Sequence, residues 1–380
     1  MTLNELLRKA ADDKASDLHL KAGNFPCLRI NGALHPLTQF SRLAGEDIQA
    51  MATSLMNDRQ KMKFKGASEI DMAYSLEGVG RFRANVYHER GQISMVLRVI
   101  PSTIRGFEEL NLPPVVSRLC EERRGMVLVT GATGSGKSTT LAAMIDRINR
   151  TRAEHIITIE DPIEFYHEDL KAFINQREIG SDTPSFEIAL RSALRQDPDV
   201  ILVGEMRDIE TMRTAILAAE TGHMVLSTLH TLDAQETVQR IIGVFPPTEQ
   251  KQIRLQLAST LRGVISQRLV RRADGKGRVP AAEVLVATEF IRECIIDPDK
   301  TRLIREILAS GTSQYGMQTF DQSLYDLYSR GLITMEEASA SSSNPEEIKL
   351  RAAGIRSASE VAREEMEHAA HSRIERFGEM

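Results

Sequence analysis

The chain has 380 residues, with 48 Lys and Arg against 53 Asp and Glu, so its formal net charge is −5. At roughly 150 residues per domain, this length predicts two or three domains with sizeable cores. The slightly acidic balance argues against a nucleic-acid scaffold, because neutralising phosphates requires concentrated Lys and Arg. Aromatic residues make up 5% of the chain and Trp is absent, so a stacking platform for single strands is not expected either.

The three cysteines, Cys27, Cys120 and Cys294, are far apart and form no CxxC pair. This pattern excludes a zinc ribbon or a disulfide framework and is typical of a reducing compartment. Residues 1–13 lack the apolar core of a signal peptide, and no apolar run approaches the roughly 20 residues of a membrane span. We therefore expect a cytoplasmic protein that is still able to dock on a membrane-embedded partner.

The pattern of residues 1–100 predicts a mixed α/β domain. Apolar residues recur first at helical spacing, at Leu3, Leu6, Leu7 and Ala10. Alternating runs bounded by Gly or Pro then predict strands at 26–30, 81–87 and 93–99. Asn31-Gly32 predicts a tight turn between two strands. Little periodicity is visible in residues 101–112, which we interpret as an interdomain linker.

From residue 113 the pattern alternates between strand and helix. Short apolar runs predict strands at 126–130, 155–159, 200–203 and 224–229, and the first is followed by a helix over 139–149. Buried strands that alternate with helices indicate a parallel sheet covered on both faces. The chain turns helical from about residue 290, with a Ser-rich break at 339–345. We assign residues 113–355 to this second domain.

Residues 356–380 form a tail rich in Glu, Arg and Ala, either helical or disordered. A narrow apolar stripe on such a helix would contain Met366, Ala370, Ile374 and Phe377. We favour a marginal helix lying on its own domain over a helix that binds a partner.

The strongest chemical signal is the segment GATGSGKS at 131–138, a complete GxxxxGK[ST] phosphate loop. It follows an apolar strand and opens a helix, as the motif requires. Glycines allow backbone N–H groups to surround phosphate oxygens, and the start of the helix adds partial positive charge. Lys137 is expected to reach the β- and γ-phosphates, and the Ser138 hydroxyl to ligate Mg²⁺.

Carboxylates follow two of the predicted strands. The strand at 200–203 leads directly to Glu205, and the strand at 155–159 leads to Glu160, Asp161 and Glu164. Ligands of open α/β sheets bind at the carboxyl ends of strands, so these side chains are candidates for orienting water or contacting Mg²⁺. A solvated loop charge is the alternative for each carboxylate taken singly.

Two histidines, His223 and His230, flank the strand at 224–229. A spacing of seven residues is poor for a shared metal ion, unlike an i, i+4 pair on a helix. His230 belongs to the same strand edge as Glu205 and is a candidate for sensing the γ-phosphate. A purely structural role is the alternative for both, and it is a stronger alternative for His223 than for His230.

Arginines in the first domain form another candidate group. Arg81 and Arg83 share one strand face, and Arg98 lies on the next strand. Arginine stabilises charge on a transferring phosphoryl group, so in a ring these side chains are able to serve a neighbouring subunit's nucleotide. A basic exposed strand face is an equally good interpretation.

Four segments now form a recognisable series. GATGSGKS at 131–138, TIEDPIEF at 158–165, DPDVILVGEMRD at 197–208 and TGHMVLSTLH at 221–230 resemble the Walker A, Asp box, Walker B and His box of type II/IV secretion ATPases. SDLHL at 16–20 and YGMQTFD at 315–321 are similar to type IV pilus retraction ATPases in particular, the PilT/PilU group. The resemblance covers about residues 1–335.

This resemblance implies a PAS-like mixed α/β domain followed by a RecA-like P-loop ATPase domain with a helical C-terminal part. It also implies a homohexameric cytoplasmic motor, peripheral at the inner face of the cytoplasmic membrane. Such a motor hydrolyses ATP with Mg²⁺ and acts on an inner-membrane pilus platform protein, so that pili retract and drive twitching motility. No nucleic-acid partner is implied.

The resemblance also assigns roles by position. Glu205 matches the catalytic glutamate, Glu164 the Asp-box glutamate and His230 the second His-box residue. Arg83 and Arg98 match the arginines that act across the subunit interface. Glu164 would contact Mg²⁺ directly or through water, together with Ser138. The expected nucleotide-binding residues are Gly131, Thr133, Gly134, Ser135, Gly136, Lys137, Ser138, Thr139 and His223.

Some features leave alternatives open. The chain has no tetracysteine element of the kind that assembly and secretion relatives usually carry, which favours retraction. Its segment Glu289–Ile296 preserves only a trace of the late helix linked to retraction in this family. An accessory PilU-like ATPase acting with a paralogous hexamer therefore remains an alternative, as does a nucleotide-binding adaptor. A RecA-like helicase is disfavoured by the acidic balance.

Overall fold

The computed structural model describes residues 1–30, 32–100, 103–311 and 315–354. Asn31 of the predicted turn, the start of the predicted linker and the whole tail at 356–380 lie outside the described residues. None of the described helices is long and apolar enough to cross a membrane.

The first part of the chain forms a six-stranded antiparallel sheet in the order β3-β2-β1-β6-β5-β4. Its strands are β1 Asp17–Lys21, β2 Cys27–Ile30, β3 Ala33–Pro36, β4 Glu69–Leu76, β5 Gly80–Glu89 and β6 Gln92–Ile100. Its helices are α1 Leu3–Asp12, α2 Gly45–Leu55 and α3 Asp58–Ala67.

One face of this sheet is apolar and covered. Thr2 and Glu5 form a capping box that starts α1, and the helix then buries its apolar stripe against the sheet. Along β5, Phe82, Ala84 and Val86 point to that core, so Arg81 and Arg83 must point to the opposite face. The arginines thus lie on the face that the helices leave uncovered.

The second part of the chain forms a seven-stranded sheet in the order β13-β12-β7-β11-β10-β8-β9. Only the β12–β13 pair is antiparallel. The strands are β7 Gly125–Thr130, β8 His155–Glu160, β9 Phe173–Glu178, β10 Val200–Val203, β11 Met224–Leu229, β12 Leu261–Arg271 and β13 Arg278–Val286.

The helices of this part are α4 Val115–Leu119, α5 Lys137–Thr151, α6 Phe186–Ala193, α7 Ile209–Glu220, α8 Ala234–Val244, α9 Pro247–Thr260, α10 Glu289–Ile296, α11 Ile304–Ser310, α12 Phe320–Ser329, α13 Met335–Ser341 and α14 Pro345–Ala352, with a 3₁₀ turn at Thr301–Leu303. Every residue of β7, β10 and β11 is buried. Alternate residues of these strands enter separate cores on the two faces of the sheet. The predicted α/β class with a parallel-sheet core is confirmed.

The structure extends the sequence interpretation in two places. The hairpin of β12 and β13 was not predicted from the sequence. It adds two strands to the sheet next to β7, the strand that leads into the phosphate loop. Phe107, Leu110 and Leu112, within the predicted linker, are buried against α4 and the second sheet. That half of the segment is thus packed rather than suspended between the domains.

Candidate functional site

The phosphate loop joins β7 to α5 at the carboxyl edge of the sheet. Gly131, Gly134 and Gly136 all have positive φ, at 139°, 78° and 95°. A Cβ on Gly131 would lie 2.4 Å from the Gln267 carbonyl oxygen and 2.6 Å from the Ser135 hydroxyl, so this position accepts only glycine. The loop therefore lies tightly against β12 and opens toward solvent.

Lys137 is 9% exposed and folds back over this loop. Its Nζ donates to the carbonyl oxygens of Gly131 at 2.8 Å and Ala132 at 3.0 Å. Burial lowers the pKa of Lys137, whereas the nearby charges of Glu164 and Glu205 raise it. The ammonium thus hydrogen-bonds the loop and lies within electrostatic reach of both carboxylates predicted from the sequence.

The Ser135 hydroxyl is buried and has no hydrogen-bond partner among the described residues. A buried hydroxyl without a partner is costly, and a ligand oxygen at the loop would satisfy it. This orphaned donor and the glycine-lined loop fit a bound phosphate chain. Ser138 is half-buried in the first turn of α5, one residue after Lys137.

A cavity of about 560 Å³ opens beside the loop. It extends from Thr139 to the β12–β13 hairpin and to the segment at 105–112. Its lining residues from these three regions include Arg105, Leu110, Leu112, Leu269, Arg272 and Arg278. The cavity combines apolar and cationic walls and is large enough for a ribose and a base.

Glu205 lies at the end of β10 and is 16% exposed. Its Oε2 is 3.5 Å from Nε2 of His230, and its Oε1 contacts the guanidinium of Arg207. The strand ends are bound together here, since Thr228 donates its hydroxyl to the Gly204 carbonyl at 2.6 Å. The structure therefore brings Glu205 and His230 together, as the strand order requires.

The Asp-box carboxylates differ in their surroundings. Asp161 and Glu164 are exposed, whereas Glu160 accepts hydrogen bonds from Thr158 at 2.6 Å and Gln176 at 3.2 Å. Burial raises the pKa of Glu160, and these hydrogen bonds partly offset it. Glu160 is thus fixed within the sheet edge, whereas the exposed Glu164 is the Asp-box carboxylate whose charge acts on Lys137.

His223 lies elsewhere, contrary to the nucleotide-binding role expected for it. It precedes β11, whose first residue pairs with Gly125 at the start of β7. The phosphate loop follows the far end of β7, about 20 Å away at the usual rise of a strand. The His223 ring contacts the Ala218 carbonyl at 2.9 Å, so within its own chain it is a structural histidine.

Arg83 and Arg98 are paired with each other across β5 and β6 on the uncovered face. Arg83 lies 3.4 Å from Asp71, and Arg98 lies 2.9 Å from Asp17. Both ion pairs lie within the first sheet, so the structure does not bring either arginine to the phosphate loop of its own chain. Their expected role across a subunit interface stays a prediction.

Sequence reasoning missed Arg207 and Glu178. Arg207 follows Glu205 by two residues, and this proximity was the available signal. Glu178 ends β9, an amphipathic edge strand with exposed Phe173, and no motif marks it. Its importance depends on a contact with Arg81, 97 residues earlier, which no local pattern reveals.

With this geometry established, comparisons with known proteins identify the family. Residues 1–372 match the family of type II/IV secretion system proteins. The chain belongs to this family. It is 46% identical over 346 residues to the type IV pilus retraction ATPase PilT of Pseudomonas aeruginosa, covering 91% of this chain and 99% of that protein. It is 41% identical to the type IV pilus ATPase PilU of the same organism, covering 92% and 91%.

A solved structure agrees. The crystal structure of the pilus retraction motor PilT with bound ADP superposes with a TM-score of 0.85 at 47% identity, covering 91% of this chain and 98% of that one. The Legionella pneumophila ATPase DotB superposes with a TM-score of 0.73 at 31% identity. Because these two matches cover 91% and 90% of this chain, they include both sheets, and the domain that carries Arg81, Arg83 and Arg98 is part of the shared fold.

Proposed function

We propose that this chain is an ATP-hydrolysing motor that powers the retraction of type IV pili. The observation that supports it best is the convergence of Glu164 and Glu205 on the buried Lys137 at the phosphate loop. Binding alone needs only the loop, whereas hydrolysis also needs carboxylates at this edge. The pilus as the load is supported by the retraction relatives, which match almost the whole chain.

In this proposal the phosphates of ATP occupy the loop from Gly131 to Ser138. Backbone N–H groups and the Ser135 hydroxyl bind phosphate oxygens, and Lys137 exchanges its two carbonyl acceptors for the β- and γ-phosphates. Thr133 and Thr139 flank the phosphates, and the cavity near Arg105 and Leu269 receives ribose and base.

Glu205 orients and deprotonates the attacking water. Arg207 contacts one carboxylate oxygen and His230 lies 3.5 Å from the other, so both side chains restrict the orientation of the Glu205 carboxylate. When a water molecule replaces one of these contacts, the Glu205 carboxylate accepts a hydrogen bond from that water. In this proposal His230, at the same strand edge, senses the γ-phosphate.

Mg²⁺ fits the donors at this edge. The Ser138 hydroxyl and the exposed Glu164 are hard oxygen ligands, and Mg²⁺ in such sites takes one or two protein oxygens together with substrate phosphates. When bound, the ion would neutralise charge on the triphosphate. Ser138 and Glu164 would hold it, Glu164 directly or through water.

The assembly proposed is a homohexamer, peripheral at the inner face of the cytoplasmic membrane. Arg83 and Arg98 lie on the uncovered face of the first sheet, which suits contact with a neighbour's nucleotide. Domain movement during hydrolysis would then be transmitted to an inner-membrane pilus platform protein. No nucleic-acid partner is proposed.

The biochemical test is Glu205→Gln. We expect turnover to fall about 100-fold or more, as for loss of a general base, while nucleotide affinity stays within about threefold. The matched control is Glu220→Gln, an exposed glutamate at the end of α7 whose partner is Gln256. Hydrolysis by Glu205→Gln at the control's rate would refute the mechanism.

The cellular test separates retraction from its alternatives. Deletion of the gene should leave excess surface pili and abolish twitching, whereas loss of pili would indicate an assembly motor. Full retraction in the deletion strain, together with hydrolysis that needs a paralogous hexamer, would favour the accessory PilU-like alternative. Lys137→Ala in the chromosomal gene should reproduce the deletion.

A further inference from the structure

Arg81 connects the first sheet to the second. It projects from β5, and its Nη2 lies 3.4 Å from Oε2 of Glu178 at the end of β9. The side chains are 21% and 7% exposed, so the contact is largely shielded from water. Among the ion pairs of the described residues, it is the one that joins the two sheets.

Glu178 has a second partner in the Asp box. Its Oε2 also accepts the backbone N–H of Ile163 at 3.2 Å, and its Oε1 accepts the Ser181 hydroxyl at 3.3 Å. Ile163 is buried and immediately precedes Glu164. One carboxylate oxygen thus contacts both the first domain and the loop that carries Glu164.

The next N–H of this loop is held differently. The backbone N–H of Glu164 faces the Glu160 carboxyl, which Thr158 and Gln176 hold from within the sheet edge. The Glu160 anchor is therefore independent of the first domain. The Glu178 anchor is not, because the cation that orients its shielded carboxylate comes from β5.

We propose that Arg81 is a positioning residue that acts through Glu178 to fix the loop at 161–164, so that Glu164 is held beside Lys137 only when the first domain lies against β9. The inference rests on the proposed hydrolysis function. Moving the first domain by a few ångströms breaks the Arg81 contact and leaves a shielded carboxylate without its cation. Glu178 then turns toward water and releases the Ile163 N–H.

This role differs from that of Arg83 and Arg98. Those arginines form their ion pairs inside the first sheet and are proposed to act on a neighbouring subunit. Arg81 acts within one chain, since it contacts Glu178 of the same molecule. The orientation of the first domain and the geometry of the Asp box are thereby coupled in each subunit.

The test combines kinetics with amide exchange in the full chain. Arg81→Met should lower kcat about tenfold with KM for ATP within twofold, and speed hydrogen exchange of the peptide at 161–166 about tenfold, because one charge-assisted hydrogen bond is lost. Glu178→Gln should do the same. In the double variant kcat should fall no further, as expected for residues that act in series. Arg81→Lys should recover part of the rate.

The matched control is Lys21→Met, which removes an ion pair with Glu89 inside the first sheet and should leave both readouts unchanged. Thermal unfolding midpoints of all variants identify any that fail to fold. If Arg81→Met fails to fold, hydrogen exchange of residues 161–166 in Arg81→Lys, measured without nucleotide, decides whether the inference holds. Unchanged exchange at 161–166 in Arg81→Met overturns the inference even if the rate falls. A wild-type chain without ATPase activity would instead refute the proposed function, and the exchange result would still stand.

Discussion

Glu283 should make the stability of this protein fall between mildly acidic and mildly basic pH. It lies on β13, is 6% exposed, and accepts the N–H of Ala234 at the start of α8 at 2.9 Å. Burial is the main reason that the pKa of Glu283 rises from 4.5 to about 7, and the charge of Asp233 raises this pKa further. The hydrogen bond from Ala234 and the charges of Arg268 and Arg305 lower the pKa and only partly offset the burial. The folded state therefore prefers the protonated acid.

The magnitude follows from linkage. Between about pH 4.5 and pH 7 the folded chain binds a proton at Glu283 that the unfolded chain has released, so the free energy of unfolding falls as pH rises. The stabilisation is fully present below the unfolded pKa and lost above the folded one. A pKa difference of about 2.5 corresponds to about 3 kcal/mol.

Glu283→Gln keeps the acceptor for Ala234 and removes the titration. Relative to wild type, this variant should gain about 2.5 kcal/mol of stability between about pH 5 and about pH 8, because part of the effect is already lost at pH 5. Urea unfolding followed by far-ultraviolet circular dichroism at fixed protein concentration measures the difference. Glu236→Gln, an exposed glutamate that accepts the Leu232 N–H, is the control. A wild-type and variant difference that is the same at both pH values would refute the reasoning.

Two further expectations concern the phosphate loop and a buried histidine. Gly131→Ala places a Cβ 2.4 Å from the Gln267 carbonyl oxygen and should lower nucleotide affinity at least about tenfold. Titration with a fluorescent ATP analogue measures this affinity. Gly66→Ala, which has open space around the new Cβ, is the control, and equal affinities of the two variants would contradict the clash. Burial lowers the pKa of His167 to about 4, and Asp146 opposes this. Stability should therefore fall by up to about 3 kcal/mol as pH drops from about 6.5 to about 4, and a His167→Phe variant with the same acid slope in urea unfolding would show the idea to be wrong.

The candidate site divides into parts that local patterns reveal and parts that they do not. The phosphate loop is visible because its backbone conformation demands particular glycines next to a strand and a helix. Glu205 and His230 were predicted from strand ends, since parallel strands deliver their carboxyl ends to one edge. His223 was expected to bind nucleotide because it matches the His box of the family. The strand between the two histidines instead separates them by its whole length.

The buried strands of the parallel core, the phosphate loop and the carboxylates that follow the strand ends can be read from the sequence itself, because each depends on periodicity or on neighbours a few residues apart. The strand order, the depth at which Lys137 lies between Glu164 and Glu205, and the pairing of Arg81 with Glu178 are decided only in the tertiary structure. The physical reason is that burial and ion pairing depend on groups brought together from distant parts of the chain. An arginine on a polar strand face looks the same in sequence whether it meets water or a carboxylate of another domain.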